Sequence, residues 1–416
     1  MLPIGIRDHM PHRAENLAAL DQRILEFMRQ RGFQFIITPL FEKLETFEKA
    51  LGSREALSDS RQFFRALDPH RGELVAFRPD ILPQIARLVA NRMSDWPLPI
   101  RLCYSGRVLR AEDEPGAKTR EIFQIGCELI GVEDLWADME LIWYGVEILQ
   151  HIGIQNFKID LGHMGYAGGI FEDLKKNATP EKYSQIILAL KKRDLSALHQ
   201  LTQDKSILEL PQLFSAGDEI DSLLERAGKL VANARSKQSL QELKSCVQAM
   251  KKRVPMDVLA VDLGEVRGFQ YYSGIMIQGF VPKVGYPILN GGRYDHLLGR
   301  FGTDMPATGF ALDLELLFSV LEEQNVSSLA NGQGGFLLVS VDPPEERLWS
   351  FMKEVWQKGR RCCFTIGNRQ HAQEYAKKFH YDHLIFFPSR KNDPLSWVKG
   401  KQEKKVNEKD ILKELS

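Results

Sequence analysis

The stretch from Arg101 to Gly131, RLCYSGRVLRAEDEPGAKTREIFQIGCELIG, constrains this chain more than any other. Two segments of alternating apolar and polar residues flank a charged, turn-rich loop, Glu112-Asp113-Glu114-Pro115-Gly116, which is the pattern of an antiparallel hairpin with a long tip. On the return strand the period of two puts Phe123, Ile125, Cys127 and Leu129 on one face and Gln124, Gly126 and Glu128 on the other. The first face reads as core. The second carries an amide and a carboxylate with a side-chain-free gap between them, which suits either a floor for a small polar molecule or an ordinary half-exposed strand. Arg110 ends the outgoing strand and is placed to reach over that floor.

A chain of 416 residues has room for two or three domains with sizeable cores. Lys plus Arg and Asp plus Glu both total 55, so the net charge is zero and gives no reason to expect a polyelectrolyte partner. Cys103, Cys127, Cys246, Cys362 and Cys363 show no C-x-x-C spacing and read as reduced thiols. The histidines form no ligand-like cluster, so neither a metal nor a cofactor is expected. MLPIGIRDHMPHR resembles neither a signal sequence nor a transit peptide, and no apolar run approaches membrane-spanning length. The expectation is a soluble cytoplasmic protein.

From residue 14 to 31, Leu17, Leu20, Ile24, Leu25 and Met28 give a helical period stopped by Gly32. Residues 33–39 read as a strand ended by Pro39, which removes a ladder donor and suits a sheet edge or an interface. A short strand, 74–77, runs through Arg78-Pro79-Asp80 into a helix over 84–92. Asp80 there either caps the helix or faces a cleft that suits an amino group. A helix follows over 134–149, with Leu135, Met139, Ile142, Trp143, Val146 and Leu149 as its buried stripe. After a strand at 157–161, residues from about 171 to 255 read as an inserted helical module without strands, broken at Pro180 and Pro211.

Gly264 to Gly274 places Arg267, Tyr271 and Tyr272 between glycines in a β-rich run continuing to Ile277, and Asn290-Gly291-Gly292-Arg293-Tyr294-Asp295 repeats the theme. These read as two tight glycine turns that form a hydrogen-bonding wall, or as plain turns of an antiparallel sheet. Gly309-Phe310 leads into a helix expected over 311–323, with Leu312, Leu316, Leu317 and Val320 on one face. Residues 327–335 are a linker separating a core of 1–326 from a C-terminal domain of 336–416. In that domain strands at 336–341, 361–366 and 384–387 alternate with helices at 344–358 and 369–379, the pattern of a small α/β domain with a mostly parallel sheet. Lys399 to Lys413 reads as a solvated tail or helix.

These blocks, in this order, resemble the class II aminoacyl-tRNA synthetases and among them the histidyl-tRNA synthetase family. The resemblance covers residues 5–317 and, more loosely, the C-terminal domain, which is similar to an anticodon-binding domain. Residues 32–39 are similar to the motif 1 dimerisation element, 110–128 to motif 2, 267–272 and 291–295 to the histidine-specific motifs, and Gly309-Phe310 to the start of motif 3. The resemblance implies an α+β fold built on an antiparallel sheet. It also implies a histidine pocket made from Asp80, Arg110, Gln124, Glu128, Arg267, Tyr271 and Tyr272, with Tyr294 nearby.

The departures point to function. ATP activation needs cations on the triphosphate and a platform for adenine. This chain has Asp113 where motif 2 carries a second arginine, Ile122 where it carries an aromatic, and Leu316 where motif 3 ends in an arginine. At Asp113 the change of sign turns attraction for phosphate into repulsion. An amino-acid site kept beside a dismantled nucleotide site is similar to the regulatory-subunit family of ATP phosphoribosyltransferase, whose RPDILPQIAR-like and VRGFQYYSG-like runs this chain shares. The resemblance implies a homodimer through the motif 1-like region that partners a short catalytic subunit, activates it and relays inhibition by L-histidine. Arg110 or Arg267 would pair the ligand carboxylate, Glu128 or Gln124 would read the imidazole, and Asp80 would hold the amino group. Leu82 stands where both families carry a threonine that helps bind that amino group. The competing expectations are an active histidyl-tRNA synthetase and a synthetase-like protein that binds tRNA through the basic C-terminal tail.

Overall fold

The computed structural model describes residues 1–52, 63–111, 119–265, 272–326, 335–341, 346–388, 393–400 and 402–414. The chain divides into a larger unit, Met1–Ser327, and a smaller one, Ser328–Ser416.

In the larger unit, helix α1 (Pro11–Gln30) buries Leu17, Leu20, Ile24, Leu25 and Met28, and Gly32 ends the turn at φ 84°. Strand β1 (Gln34–Phe35) is shorter than the 33–39 expected from the sequence. It pairs parallel with β5 (Ile100–Leu109), Ile36 N–H still donates to Cys103 O at 2.9 Å, and the chain then leaves towards Pro39. Strand β2 (Phe41–Lys43), helix α2 (Leu44–Leu51) and strands β3 (Arg65–Leu67) and β4 (Leu74–Phe77) follow, the strands forming a small sheet in the order β2-β4-β3. Helix α3 spans Leu82–Arg92.

The long hairpin is β5 (Ile100–Leu109) and β6 (Glu121–Ile130), with Cys103 opposite Cys127, Tyr104 opposite Gly126 and Gly106 opposite Gln124. Its return strand is not half-exposed: from Gln124 to Ile130 every residue is buried, because α1 packs on one face and the site on the other. Helix α4 (Trp136–Ile152) buries Leu141, Ile142, Gly145, Val146 and Leu149. Trp143, expected in that stripe, is instead 37% exposed, and its indole N–H donates to Glu147 at 3.2 Å on the outer face.

After β7 (Lys158–His163) come helices α5 (Met164–Asn177), α6 (Pro180–Lys191), α7 (Leu195–Leu201) and α8 (Lys205–Glu209), strand β8 (Phe214–Ala216), and helices α9 (Ile220–Leu230) and α10 (Ala234–Lys251). Pro180 falls at the expected break: α5 ends at Asn177, and Pro180 opens α6 behind the Thr179 cap. Strand β8 corrects the strand-free reading: three residues with only Ser215 buried carry too little pattern to register, and pairing with β9 (Leu259–Asp262) supplies the reason to extend.

Strands β10 (Ile275–Phe280), β11 (Leu289–Arg293) and β12 (Ala307–Asp313) complete a sheet ordered β1-β5-β6-β12-β11-β10-β7-β9-β8. Gly291 and Gly292 therefore lie inside a strand and not in a turn. A Cβ on either would overlap the backbone of the neighbouring strand, so glycine here serves close strand approach. Helix α11 begins at Leu314, later than expected, because β12 holds residues 307–313 against β6 and Asp313 caps the helix.

The smaller unit has β13 (Gly335–Ser340), α12 (Glu346–Gln357), β14 (Cys362–Ile366), α13 (Arg369–Phe379), β15 (Tyr381–Phe386), β16 (Leu395–Lys399), β17 (Gln402–Val406) and α14 (Glu408–Glu414). Its sheet, β14-β13-β15-β16-β17, has two parallel and two antiparallel pairings. The lysine-rich end is a strand followed by a helix and not a loose tail: alternate side chains of β17 cover Trp397, with Lys404 Nζ 4.2 Å from its ring centroid.

Candidate functional site

Glu128 is the centre of the site. The period of two turns it away from the α1 side of β6, and β12 closes over it with a glycine directly opposite, Gly309, where a Cβ would overlap the carboxylate. The residue is 2% exposed. Tyr104 O–H donates to Oε1 at 2.9 Å, and Tyr294 O–H donates to Oε2. Burial pushes the Glu128 carboxyl up to about 8, the two hydroxyls offsetting part of the rise and the charge of Asp80 adding to it. Both phenols are held well above their usual value, first by burial and then by the neighbouring carboxylate.

Gln124, four residues earlier on the same face, joins the strand to the start of α3. Its Oε1 accepts from Ile81 N–H at 3.1 Å and its Nε2 donates to Asp80 Oδ1 at 3.1 Å. Asp80 Oδ1 also accepts from Leu82 N–H at 3.2 Å, so this carboxylate both steadies the first turn and faces the site. Its Oδ2 has no hydrogen bond among the described residues. The gap over Gly126 is occupied: a Cβ there would stand 2.6 Å from Tyr104 Oη and 2.6 Å from Phe310 O.

The structure thus brings Asp80, Gln124, Glu128 and Tyr294 together. Tyr272 is half-buried and packs on the cluster that contains Tyr104, Tyr294 and Leu82. Arg110 follows β5, its backbone N–H bonded to Arg120 O at 2.8 Å and its charge lowering the Asp313 carboxyl against the rise caused by burial. Arg267 and Tyr271 lie outside the described residues, as does Asp113.

Tyr104, which donates to Glu128, is a site residue that alternation along the return strand alone does not single out. The signal was present in the hairpin register, which sets it opposite Gly126 and so on the Glu128 face. Two arginines also act here as supports. Arg78, 6% exposed, crosses Gly106 and donates to Arg107 O at 2.7 Å and to Thr38 Oγ1 at 2.9 Å, locking the approach to Asp80. Arg293, expected in a ligand-facing wall, is turned into the core. It grips Asp138 with Nε at 2.9 Å and Nη2 at 2.6 Å and fixes the strand end that presents Tyr294.

Ile122 packs against the same apolar cluster. Leu316 is half-buried on the first turn of α11, where its N–H donates to Asp313 Oδ1 at 3.0 Å. Among the described residues no group of three His, Cys, Asp or Glu is placed to hold a metal ion, and no helix is long and apolar enough to cross a membrane.

The mixed sheet, its hairpin and the enclosed carboxylate define a protein of the class II, histidyl-tRNA synthetase-like fold, and residues 5–317 match the sequence model described as histidyl-tRNA synthetase. An ATP phosphoribosyltransferase regulatory subunit from Syntrophotalea carbinolica is 34% identical over 403 residues, covering 94% of this chain and 92% of its own. This chain belongs to the family of ATP phosphoribosyltransferase regulatory subunits. Two solved structures share the fold. One is an ATP phosphoribosyltransferase regulatory subunit/histidyl-tRNA synthetase from Bacillus halodurans, with TM-score 0.77, 24% identity, and coverage of 93% of this chain and 97% of that one. The other is histidyl-tRNA synthetase from Nostoc sp. PCC 7120, with TM-score 0.78, 20% identity, and coverage of 100% and 98%.

Proposed function

We propose that this chain is a non-catalytic subunit that partners a short ATP phosphoribosyltransferase catalytic subunit, activates it, and relays inhibition by L-histidine held at the Glu128 pocket. The observation that carries this reading is the enclosed carboxyl with two hydroxyl donors, poised to accept a further donor such as an imidazole N–H. Asp80 Oδ2 suits the ligand's ammonium, and Arg110 or Arg267 its carboxylate. Leu82 is buried in the apolar cluster and supplies no hydroxyl to that ammonium. Ile122 and Leu316 offer neither a ring for adenine nor a cation for phosphate, which supports catalytic silence. A ligand whose affinity differs between two global states is the physical requirement for feedback control.

Isothermal titration with histidine, on the chain alone and with its partner, tests the pocket. Saturable heat is expected, and no heat at millimolar ligand in either case removes the sensing role. Histidine-dependent ATP–pyrophosphate exchange tests the silence: exchange at an enzymatic rate would make the chain a working synthetase.

The same reading makes the chain a homodimer. Around the sheet edge at β1, Phe35 is 37%, Ile37 79%, Leu40 43% and Phe41 52% exposed, an apolar grouping that suits an interface.

A further inference from the structure

The hairpin has a second face. Opposite the Glu128 side, α1 and the N-terminal segment leave an open groove of about 200 Å³ over β5 and β6, lined by His9, Leu17, Asp21, Arg107 and Phe123 among others. That volume lies below the roughly 300–1,000 Å³ of drug-sized sites and suits a small metabolite.

Three polar groups on this groove are incompletely satisfied among the described residues. Asp21 accepts from Ser105 O–H but has no cationic partner within ion-pair distance, and burial raises its carboxyl above the usual range. Arg107 is ion-paired to Glu121 at 3.4 Å and to Glu315 at 3.7 Å and stacks 5.1 Å from the Phe123 ring centroid, but its guanidinium makes no hydrogen bond among the described residues. His9 has a side chain only 7% exposed. Its Nε2 meets Glu315 Oε1 at 3.0 Å, while Nδ1 is buried with no partner. In the tautomer that donates Nε2–H to Glu315, Nδ1 is the acceptor. A buried acceptor without a donor costs about 1–3 kcal/mol, which a ligand donor would recover.

The charges select the ligand. Ser105, which positions Asp21, and Arg107 are two residues apart on one face of β5, so an acceptor for an ammonium and a fork for a carboxylate open on the same groove. They match the two charged groups of one amino acid, with Phe123 and Leu17 lining the space for its side chain.

We propose that this groove is a second site that takes a free α-amino acid, its ammonium donating to Asp21 and His9 Nδ1 and its carboxylate accepting from Arg107. The site shares no residue with the Glu128 pocket and does not depend on it.

The test is NMR titration of the full chain, following the His9 ring signals (assigned with His9→Gln), with a panel of free amino acids and with the N-acetyl and amide forms of each that binds. Saturable His9 shifts are expected with free amino acids. Affinity should fall at least tenfold when either charge of the ligand is removed, a comparison that needs no variant. Arg107→Met and Asp21→Asn should abolish the shifts, and Glu128→Gln should leave them intact. Absence of any saturable shift overturns the proposal. So does a shift indifferent to both ligand charges, and so does one lost in Glu128→Gln, which would report the other pocket.

Discussion

Glu128 sets the terms at the residue scale. Its carboxyl is at about 8 in the folded chain against an ordinary 4.5, so the fold holds a proton that the unfolded chain releases. Its contribution to stability therefore falls as pH rises from about 4.5 through about 8, by on the order of 1 kcal/mol per pH unit at most. Urea unfolding at pH 5 and pH 9 should show Glu128→Gln nearly neutral at the lower pH and more stable than the parent by roughly 2–4 kcal/mol at the higher. An imidazole N–H bound there favours the ionised carboxyl, and calorimetry in buffers of different ionisation enthalpy should detect net proton release, up to about one per histidine, near pH 7. The side facing Glu128 matters as much: Gly309→Ala should lower thermal stability by roughly 2–4 kcal/mol, because the methyl group displaces the carboxylate. Alternation along residues 123–129 was enough to place Gln124 and Glu128 on one face. It was not enough to show that Gln124 is engaged by Ile81 and Asp80, because those contacts come from a segment more than forty residues away.

At the scale of elements, α11 shows where local pattern and pairing disagree. The run from Ala311 is apolar at helical spacing, yet Ala311 and Leu312 belong to a strand because β6 and β11 flank them on both sides. Asp313 then turns strand into helix by accepting from Glu315 and Leu316 N–H, each at 3.0 Å. Asp313→Ala should cost about 1 kcal/mol by chemical denaturation. Glu315, in the first turn, is gripped by Arg7 and His9 from the N-terminal segment, a contact no local pattern could announce. The same holds for β8 and for the closing β16–β17 hairpin, whose short strands become visible only with their partners. Trp143 failed for a different reason: indole is apolar enough to be assigned to a core, but its N–H is satisfied at the surface.

At the scale of the whole molecule, zero net charge leaves association to shape and apolar area. If the β1 edge is the homodimer seam, Ile37→Asp should shift the sedimentation coefficient to that of a monomer while the far-UV spectrum of the larger unit is unchanged. The α/β alternation of the smaller unit could be read from periodicity, and the fold class of the larger one from its resemblance to a known family. The order of strands could not, because it joins residues 121–130 to 307–313 across an intervening module. That order bears on biosynthesis. A ribosome releases β5 and β6 together, but the free edge of β6 gains no neighbour until nearly two hundred further residues have emerged. During that interval a nascent chain displays an unpaired apolar edge, and its safe maturation depends on how quickly translation finishes.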